Sequence, residues 1–303
     1  MPASPIPPPP ASYAIDSRSA RRKADAAAAG YLDAAKLELE VGARMLERLD
    51  YVKLRPRRIL DAGSGPSPQA AQLAQRYGGT QIVALDFSLP MLGQSKSDGL
   101  LRRLTGRARR LAVCADMARL PLASGSFSLA WSNMALHWVA DPRVALCEFH
   151  RVLEVDGLLM FSTVGPDTLR ELRSAFSSAS APAHVHSFID MHDLGDMLVA
   201  AGFAAPVMDT ETITLTYPGV DAMTADLRAT GQTCALASRS RGLLGVGSWR
   251  QVRAALQKCV REGRLPATIE VVYGHAWKAA PRLTSEGHAI VKLDPLLRGR
   301  AKR

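Results

Sequence analysis

Apolar positions follow two different periods along the chain. From Ala20 to Asp50 they recur at helix spacing, and Leu37, Val41, Met45 and Leu49 fall on one face. After Pro56 short apolar runs alternate with helical stretches. Strands are predicted over Arg58–Ala62, Gln81–Asp86, Arg110–Cys114, Phe127–Ser132 and Leu158–Thr163. Helices are predicted near Pro68–Tyr77, Leu89–Lys96 and Pro142–Leu153, the last with Val144, Leu146, Phe149 and Leu153 as its apolar stripe. Val155-Asp156-Gly157 reads as the turn into the strand that follows. Such alternation predicts an α/β, Rossmann-like architecture with a mainly parallel sheet covered on both faces. Right-handed crossovers then bring the carboxyl ends of the strands to one edge, where ligands of open α/β sheets bind.

The second half follows a different plan. Helices are expected over Asp167–Ser177 and Met191–Ala201, the latter stopped by Gly202, and strands over Glu211–Tyr217 and Thr268–Trp277. Helical segments near Asp221–Thr230 and Trp249–Glu262 lie between those two strands. The expected organisation is a disordered, proline-rich start over 1–19, a helical N-terminal lid over 20–55 and a ligand-binding domain over 56–280. A helical insertion at about 218–265 forms a lid over the ligand edge, and a basic tail occupies 281–303. Ser240–Gly247 reads as a glycine-rich loop.

Composition changes the picture in three places. The chain has 303 residues, is 47% apolar and carries a formal charge of +10, which favours acidic partners. Arg102, Arg103, Arg107, Arg109 and Arg110 are its densest basic group. It is read either as a solvated surface or as a docking patch, and without an RNA-binding aromatic signature nucleic acid is not the expected partner. No apolar run is long enough to span a bilayer. The four cysteines include no CxxC pair; Cys114 and Cys147 are expected to be buried thiols, which fits a reducing, cytoplasmic compartment. His184 and His186 flank Val185 without a Cys/His cluster beside them, so no metal is expected.

The candidate chemistry sits at the strand ends. Ile59-Leu60-Asp61-Ala62-Gly63-Ser64-Gly65 is a strand breaking into a glycine turn, and the next strand ends in Asp86. Glycines allow main-chain N–H groups close to a ligand, and Asp86 can accept hydrogen bonds from ribose hydroxyls. Pro66 and Ser67 replace the third glycine of a phosphate-binding turn, which disfavours a dinucleotide. Asp116 can accept from an exocyclic amine while Met117 packs on a flat base. Acidic strand ends at Asp61, Asp86 and Asp116 favour a cationic ligand.

Together, these features resemble the class I S-adenosylmethionine-dependent methyltransferases over roughly Arg57 to Thr163. The resemblance includes Asp86-Phe87-Ser88, Asp116 with Leu120-Pro121-Leu122, and Trp131-Ser132-Asn133-Met134-Ala135-Leu136-His137-Trp138. It implies S-adenosylmethionine as cofactor, with Asp61, Gly63, Gly65, Asp86, Phe87, Asp116, Met117 and Asn133 around it and His137 in the pocket wall. The flanking segments Gly165-Pro166-Asp167-Thr168-Leu169-Arg170-Glu171-Leu172-Arg173, Phe188-Ile189-Asp190-Met191-His192-Asp193-Leu194-Gly195 and Leu265-Pro266-Ala267-Thr268 are similar to the malonyl-acyl-carrier-protein O-methyltransferases of biotin synthesis. That family implies methyl transfer to the free carboxylate of a malonyl thioester, with malonyl-acyl-carrier protein as partner; the protein is expected to be a monomer. Tyr31 resembles the family's lid tyrosine. Arg228, then Arg173, are the arginines expected to hold the carboxylate by a fork of hydrogen bonds. The pattern departs at Ala24, Glu38, Ser67 and Thr233-Cys234-Ala235, more on the acceptor side than on the cofactor side. Asp-Thr-Leu, Glu-Leu-Arg and Tyr217-Pro218-Gly219 are also shared with complex I assembly factors that hydroxylate arginine. A non-catalytic assembly module that keeps the cofactor fold is the third reading.

Overall fold

The computed structural model describes residues 13–95, 110–179, 184–240, 242 and 244–280. Residues 1–12 of the start expected to be disordered, Arg102, Arg103, Arg107 and Arg109, part of the glycine-rich loop and the basic tail lie outside the described residues; the rest of that start is ordered, with Ile15 in a β-bridge and a helix from Ser17. The N-terminal region forms α1 (Ser17–Ala27), α2 (Tyr31–Ala34) and α3 (Lys36–Arg48). The alternating section follows as β1 (Arg58–Ala62), α4 (Ala70–Arg76), β2 (Gln81–Asp86), α5 (Leu89–Gly93), β3 (Arg110–Cys114), β4 (Phe127–Ser132), α6 (Pro142–Val152) and β5 (Leu153–Val164). Then come α7 (Arg170–Ser178), α8 (Met191–Ala200), β6 (Ala204–Tyr217), α9 (Val220–Ala229), α10 (Val246–Gln257) and β7 (Leu265–Trp277). They build one seven-stranded sheet in the order β3-β2-β1-β4-β5-β7-β6, with β7 antiparallel to both neighbours. The strand order reverses between β1 and β4, so their carboxyl ends open a crevice.

Period-two alternation sends successive side chains to opposite layers. Ile59, Ile82, Leu129 and Trp131 pack with Val41, Met45, Leu49 and Leu73, which places α3 and α4 on one face. Leu60, Val83, Leu159 and Phe161 pack with Leu146, Phe149, Val152 and Leu198, which places α6 and α8 on the other. Arg48 further ties α3 to the sheet. It donates to Asp209 at 2.8 Å, and its guanidinium lies 3.7 Å over the Tyr273 ring.

The segment between β6 and β7 forms a separate small core. Val220, Met223, Val252 and Leu256 pack on Leu172 and Ala175 of α7. The chain after α9 is stitched to the N-terminal segment: Ile15 bridges Leu236, Asp16 N–H donates to the Ala235 carbonyl at 2.8 Å, and Arg239 pairs with Asp16 at 2.9 Å.

Several expectations need correction. Val144 is 45% exposed, and the buried stripe of α6 runs through Ala145, Leu146, Phe149 and Val152 instead. Cys114 and Cys147 are exposed, not buried. Cys114 ends β3, an outer strand of the sheet, and Cys147 lies on the solvent face of α6. β5 begins at Leu153, because Asp156 takes a left-handed conformation (φ 63°) that makes the expected turn a kink within one strand. β6 starts at Ala204, seven residues before Glu211, and its alternating exposure fits its place at the other edge of the sheet.

Met45 is fully buried between α3 and the sheet. Met45→Ala is expected to lower stability by about 2–5 kcal/mol, as large-to-small core changes do, read from the midpoint of urea denaturation.

Candidate functional site

The crevice is built from the turn after β1. Gly63 and Gly65 both have positive φ, 67° and 52°. A Cβ on Gly63 would come within 2.3 Å of the Ala135 Cβ and 2.8 Å of the Met117 Cε, so the turn admits no side chain there. Gly65 N–H donates to Asp86 Oδ2 at 2.8 Å, and Ser88 N–H donates to Asp86 Oδ1 at 2.8 Å. Ser88 also caps α5 and gives its hydroxyl hydrogen to Asp25 at 2.5 Å. Burial pushes the Asp86 carboxyl up to about 6 against these donors.

Ser67 takes the left-handed conformation (φ 54°). Its hydroxyl donates to Asp61, whose carboxyl burial raises to about 6. Arg110 donates to the carbonyls of Pro66 and Ser67 at 2.9 and 3.3 Å. This arginine, the described member of the basic group, therefore braces the turn.

Gly63, Gly65, Asp86, Phe87, Asp116, Met117, Asn133 and Tyr31 line one cavity. Asp61 is not among its lining residues; its carboxylate faces Ser67 and acts through the turn. Asp116 is exposed and accepts from Ala118 N–H at 2.8 Å. Asn133 accepts from the Ser162 hydroxyl and donates to the Glu38 carbonyl, both at 2.8 Å. The Tyr31 hydroxyl is held well above its ordinary value by burial, with Glu38 and Asp86 adding to the effect.

A second cavity of about 880 Å³ adjoins the first. The two share Trp138, Thr230 and Gln232 as lining. Leu172, Phe176, Leu215, Met223, Trp249 and Ile269 give the second cavity apolar walls. Lys23, Lys36, Arg228 and Arg239 also line it. His137 lines this cavity and not the first, and burial depresses it to about 3, which keeps it neutral. Burial likewise depresses His186 to about 4, and its Nε2 accepts from Ala235 N–H at 2.7 Å.

Residues 60–161 match the family described as a methyltransferase domain. A malonyl-[acyl-carrier protein] O-methyltransferase of Gallionella capsiferriformans is 50% identical over 281 residues, covering 92% of this chain and 97% of that protein. One of Laribacter hongkongensis is 50% identical over 291 residues, covering 94% and 98%. The chain belongs to the malonyl-[acyl-carrier protein] O-methyltransferase family. It is an S-adenosylmethionine-dependent methyltransferase. The YcgJ protein of Bacillus subtilis has a similar fold, with a TM-score of 0.55 at 15% identity over 80% of this chain and 99% of that one. The fold they share is the Rossmann-like sheet expected here.

Within this O-methyltransferase chain the two candidate arginines part company. Arg228, on α9, is exposed and lines the second cavity, and its side chain makes no hydrogen bond or ion pair among the described residues. Arg173 donates to the carbonyls of Pro166, Thr168 and His186 at 2.7, 3.0 and 3.1 Å. Both terminal nitrogens go to main-chain carbonyls, and Arg173 lines neither cavity, so it braces α7 against the loops beside it and does not offer a carboxylate fork to the site, contrary to expectation.

Sequence reasoning missed Thr230 and Gln232 at the junction. The available signal was Gly231, which ends α9 with φ 74° and packs so closely that a Cβ would lie 3.1 Å from the Lys23 carbonyl. Nothing local to Gln232 indicates that it meets Glu38, 194 positions away.

The buried acids give a pH signature. Asp61 and Asp86 have folded values near 6, above the ordinary 3.8. Their protonation favours the fold, so the stability they contribute is full below about 4 and lost as pH rises through about 6. Ligand-free protein is expected to show a falling denaturation midpoint across that window, with a shallower fall in Asp61→Asn.

Proposed function

We propose that this chain transfers the methyl group of S-adenosylmethionine to the free carboxylate of malonyl-acyl-carrier protein, as a cytoplasmic step of biotin biosynthesis. The observation that carries this reading is the pair of joined cavities. One has a glycine turn and an acidic strand end; the other is large, apolar-walled and lined with cations. The names of the relatives at 50% identity support the acceptor. A purely structural assembly module would need neither the joined cavities nor their polar junction.

The residues present suit the cofactor. Asp86 has a lone pair left on each oxygen beyond its two main-chain donors, which suits ribose hydroxyls. Phe87 and Met117 offer flat apolar surface to an adenine, with Asp116 at hand for its amine. The open backbone at Gly65 suits the methionine portion. S-adenosylmethionine supplies an electrophilic methyl group on a sulfonium.

A carboxylate acceptor is already a nucleophile and has no proton to lose, so the protein's work is alignment and removal of water. Arg228 is placed to hold acceptor charge, and Tyr31 to close over the junction. Esterification removes the malonyl charge, which lowers the cost of burying the chain in an apolar pocket afterwards.

The carrier-protein side of the reading has a surface to go with it. Arg18, Arg21 and Arg22 lie at helix spacing on α1, exposed and without ion pairs among the described residues. The next residue, Lys23, lines the second cavity and donates to Thr233 at 2.5 Å. An acidic carrier docking on this face would deliver its thioester arm beside the cavity.

Purified protein given labelled S-adenosylmethionine and malonyl-acyl-carrier protein should form a base-labile methyl ester; none would contradict the reading. Asp86→Ala should weaken cofactor binding by about 1–3 kcal/mol, from lost charge-assisted hydrogen bonds, as measured by titration calorimetry. Reversing Arg18, Arg21 and Arg22 to glutamate should raise KM for the carrier-bound substrate on the order of tenfold and leave that for malonyl-pantetheine unmoved.

A further inference from the structure

Glu38 is the buried acid that the proposed chemistry leaves unused. It sits in the first turn of α3, is 6% exposed and lines the second cavity. One carboxyl oxygen accepts from the Gln232 side-chain amide, and Gln232 lines both cavities. The main-chain carbonyl of Glu38 accepts from Asn133, which lines the first cavity. Glu38 therefore stands where the two cavities meet, beside Tyr31.

The surroundings do not supply a counter-charge. Asp226 and Tyr217 face Glu38 from α9 and β6, and are themselves hydrogen-bonded at 2.6 Å. Tyr31 faces it from α2. Lys23 of α1, Lys36 of α3, Arg228 of α9 and Arg239, which pairs with Asp16, line the same cavity, but among the described residues none forms an ion pair with Glu38. His137 and His186, packed against Trp138, are held neutral by burial. Burial raises the Glu38 carboxyl to about 7, with Asp226 adding to the effect and Gln232 opposing it.

We propose that Glu38 is a substrate-binding residue that works as a neutral acid, donating a hydrogen bond to the acceptor carboxylate at the junction of the cavities. The inference rests on the malonyl-thioester reading above. A malonyl carboxyl is ionised at neutral pH. Two facing carboxylates cannot both keep their charge cheaply in a dry site, so the buried one takes a proton from solvent as the acceptor enters. Gln232 fixes one oxygen as acceptor and leaves the protonated one to donate. Glu38 keeps its proton through the reaction. The new bond forms between an acceptor oxygen and the methyl carbon, the carbon–sulfur bond breaks, and its electron pair stays on sulfur. Arg228 and Glu38 then hold the same group from two sides, one by charge and one by a directed hydrogen bond.

The test compares the wild type with Glu38→Gln, which keeps an N–H donor but cannot titrate, and Glu38→Ala, which keeps none. With malonyl-pantetheine as acceptor, wild-type kcat/KM should fall about tenfold per pH unit above about 7, the free-enzyme value this parameter reports. Glu38→Gln should lose that alkaline limb. Glu38→Ala should raise KM on the order of tenfold, with a smaller effect on kcat. A second readout needs no turnover. Malonyl-pantetheine titrated into protein holding S-adenosylhomocysteine, in buffers of different ionisation enthalpy, should show proton uptake near pH 7.5 in the wild type and none in Glu38→Gln.

Uptake that is absent from the wild type, or undiminished in Glu38→Gln, would overturn the inference. So would weaker cofactor binding in Glu38→Gln, which would assign Glu38 to the sulfonium as an anion. If the wild type made no ester from either thioester, the function itself would be overturned, and this inference with it.

Discussion

The contact between Gly65 N–H and Asp86 joins the ends of β1 and β2 and fixes the shape of the crevice. It extends the pairing of β1 with β2, which ends in Ser64 N–H donating to the Leu85 carbonyl at 3.0 Å, into the turn itself. With it, one carboxylate orders the glycine turn and the start of α5 through Ser88, and still presents lone pairs outward. The turn is braced from behind by Ser67 on Asp61 and by Arg110 on the carbonyls of Pro66 and Ser67. From the front it is closed by Ala135 and Met117, which leave no room for a Cβ at Gly63. The positive φ values and the buried carboxyls are features of one tightly packed corner.

Burying acids at that corner costs stability in the empty protein, and the cost has a use. Asp61, Asp86 and Glu38 are all pushed upward by burial. At Asp86, which lines the first cavity, a ligand bearing positive charge or hydrogen-bond donors relieves that cost, so binding energy is drawn from an unfavourable empty state. The covering segments belong to the same scheme. The N-terminal segment and the chain after α9 are stitched together at Ile15–Leu236 and Asp16–Arg239, and between them carry Tyr31, Lys23, Thr230 and Gln232 to the cavities. The sheet supplies one half of the site, while the N-terminal helices and the segment between β6 and β7 supply the other half.

Much of the sheet was legible because its strands obey local rules. β1, β2 and β4 coincide with the apolar runs that announced them, since strands buried in a parallel sheet are short and continuous in apolar character; β3 coincides too, although it is an outer strand and largely uncovered. Asp86, Asp116, Met117 and Asn133 could be placed because strand ends and the residues just after them share one edge. Burial at the margins was less legible. Cys114, Cys147 and Val144 have apolar neighbours in sequence yet face outward, because a strand's place in the sheet and a helix's rotation are tertiary facts. Arg173 was misread for a related reason: whether a guanidinium meets a ligand or three carbonyls depends on how α7 sits against the loops beside it. The Glu38–Gln232 contact joins positions far apart in the chain and has no local signature at all.

The most direct measurement is a crystal structure of the protein with S-adenosylhomocysteine and a non-reactive malonyl thioester analogue. The account predicts ribose hydroxyls on Asp86, the adenine between Phe87 and Met117, and the sulfur directed past Gln232 at a carboxylate lying in the second cavity. Density for the adenosyl group away from the β1–β2 corner, or a thioester arm excluded from the second cavity, would contradict it.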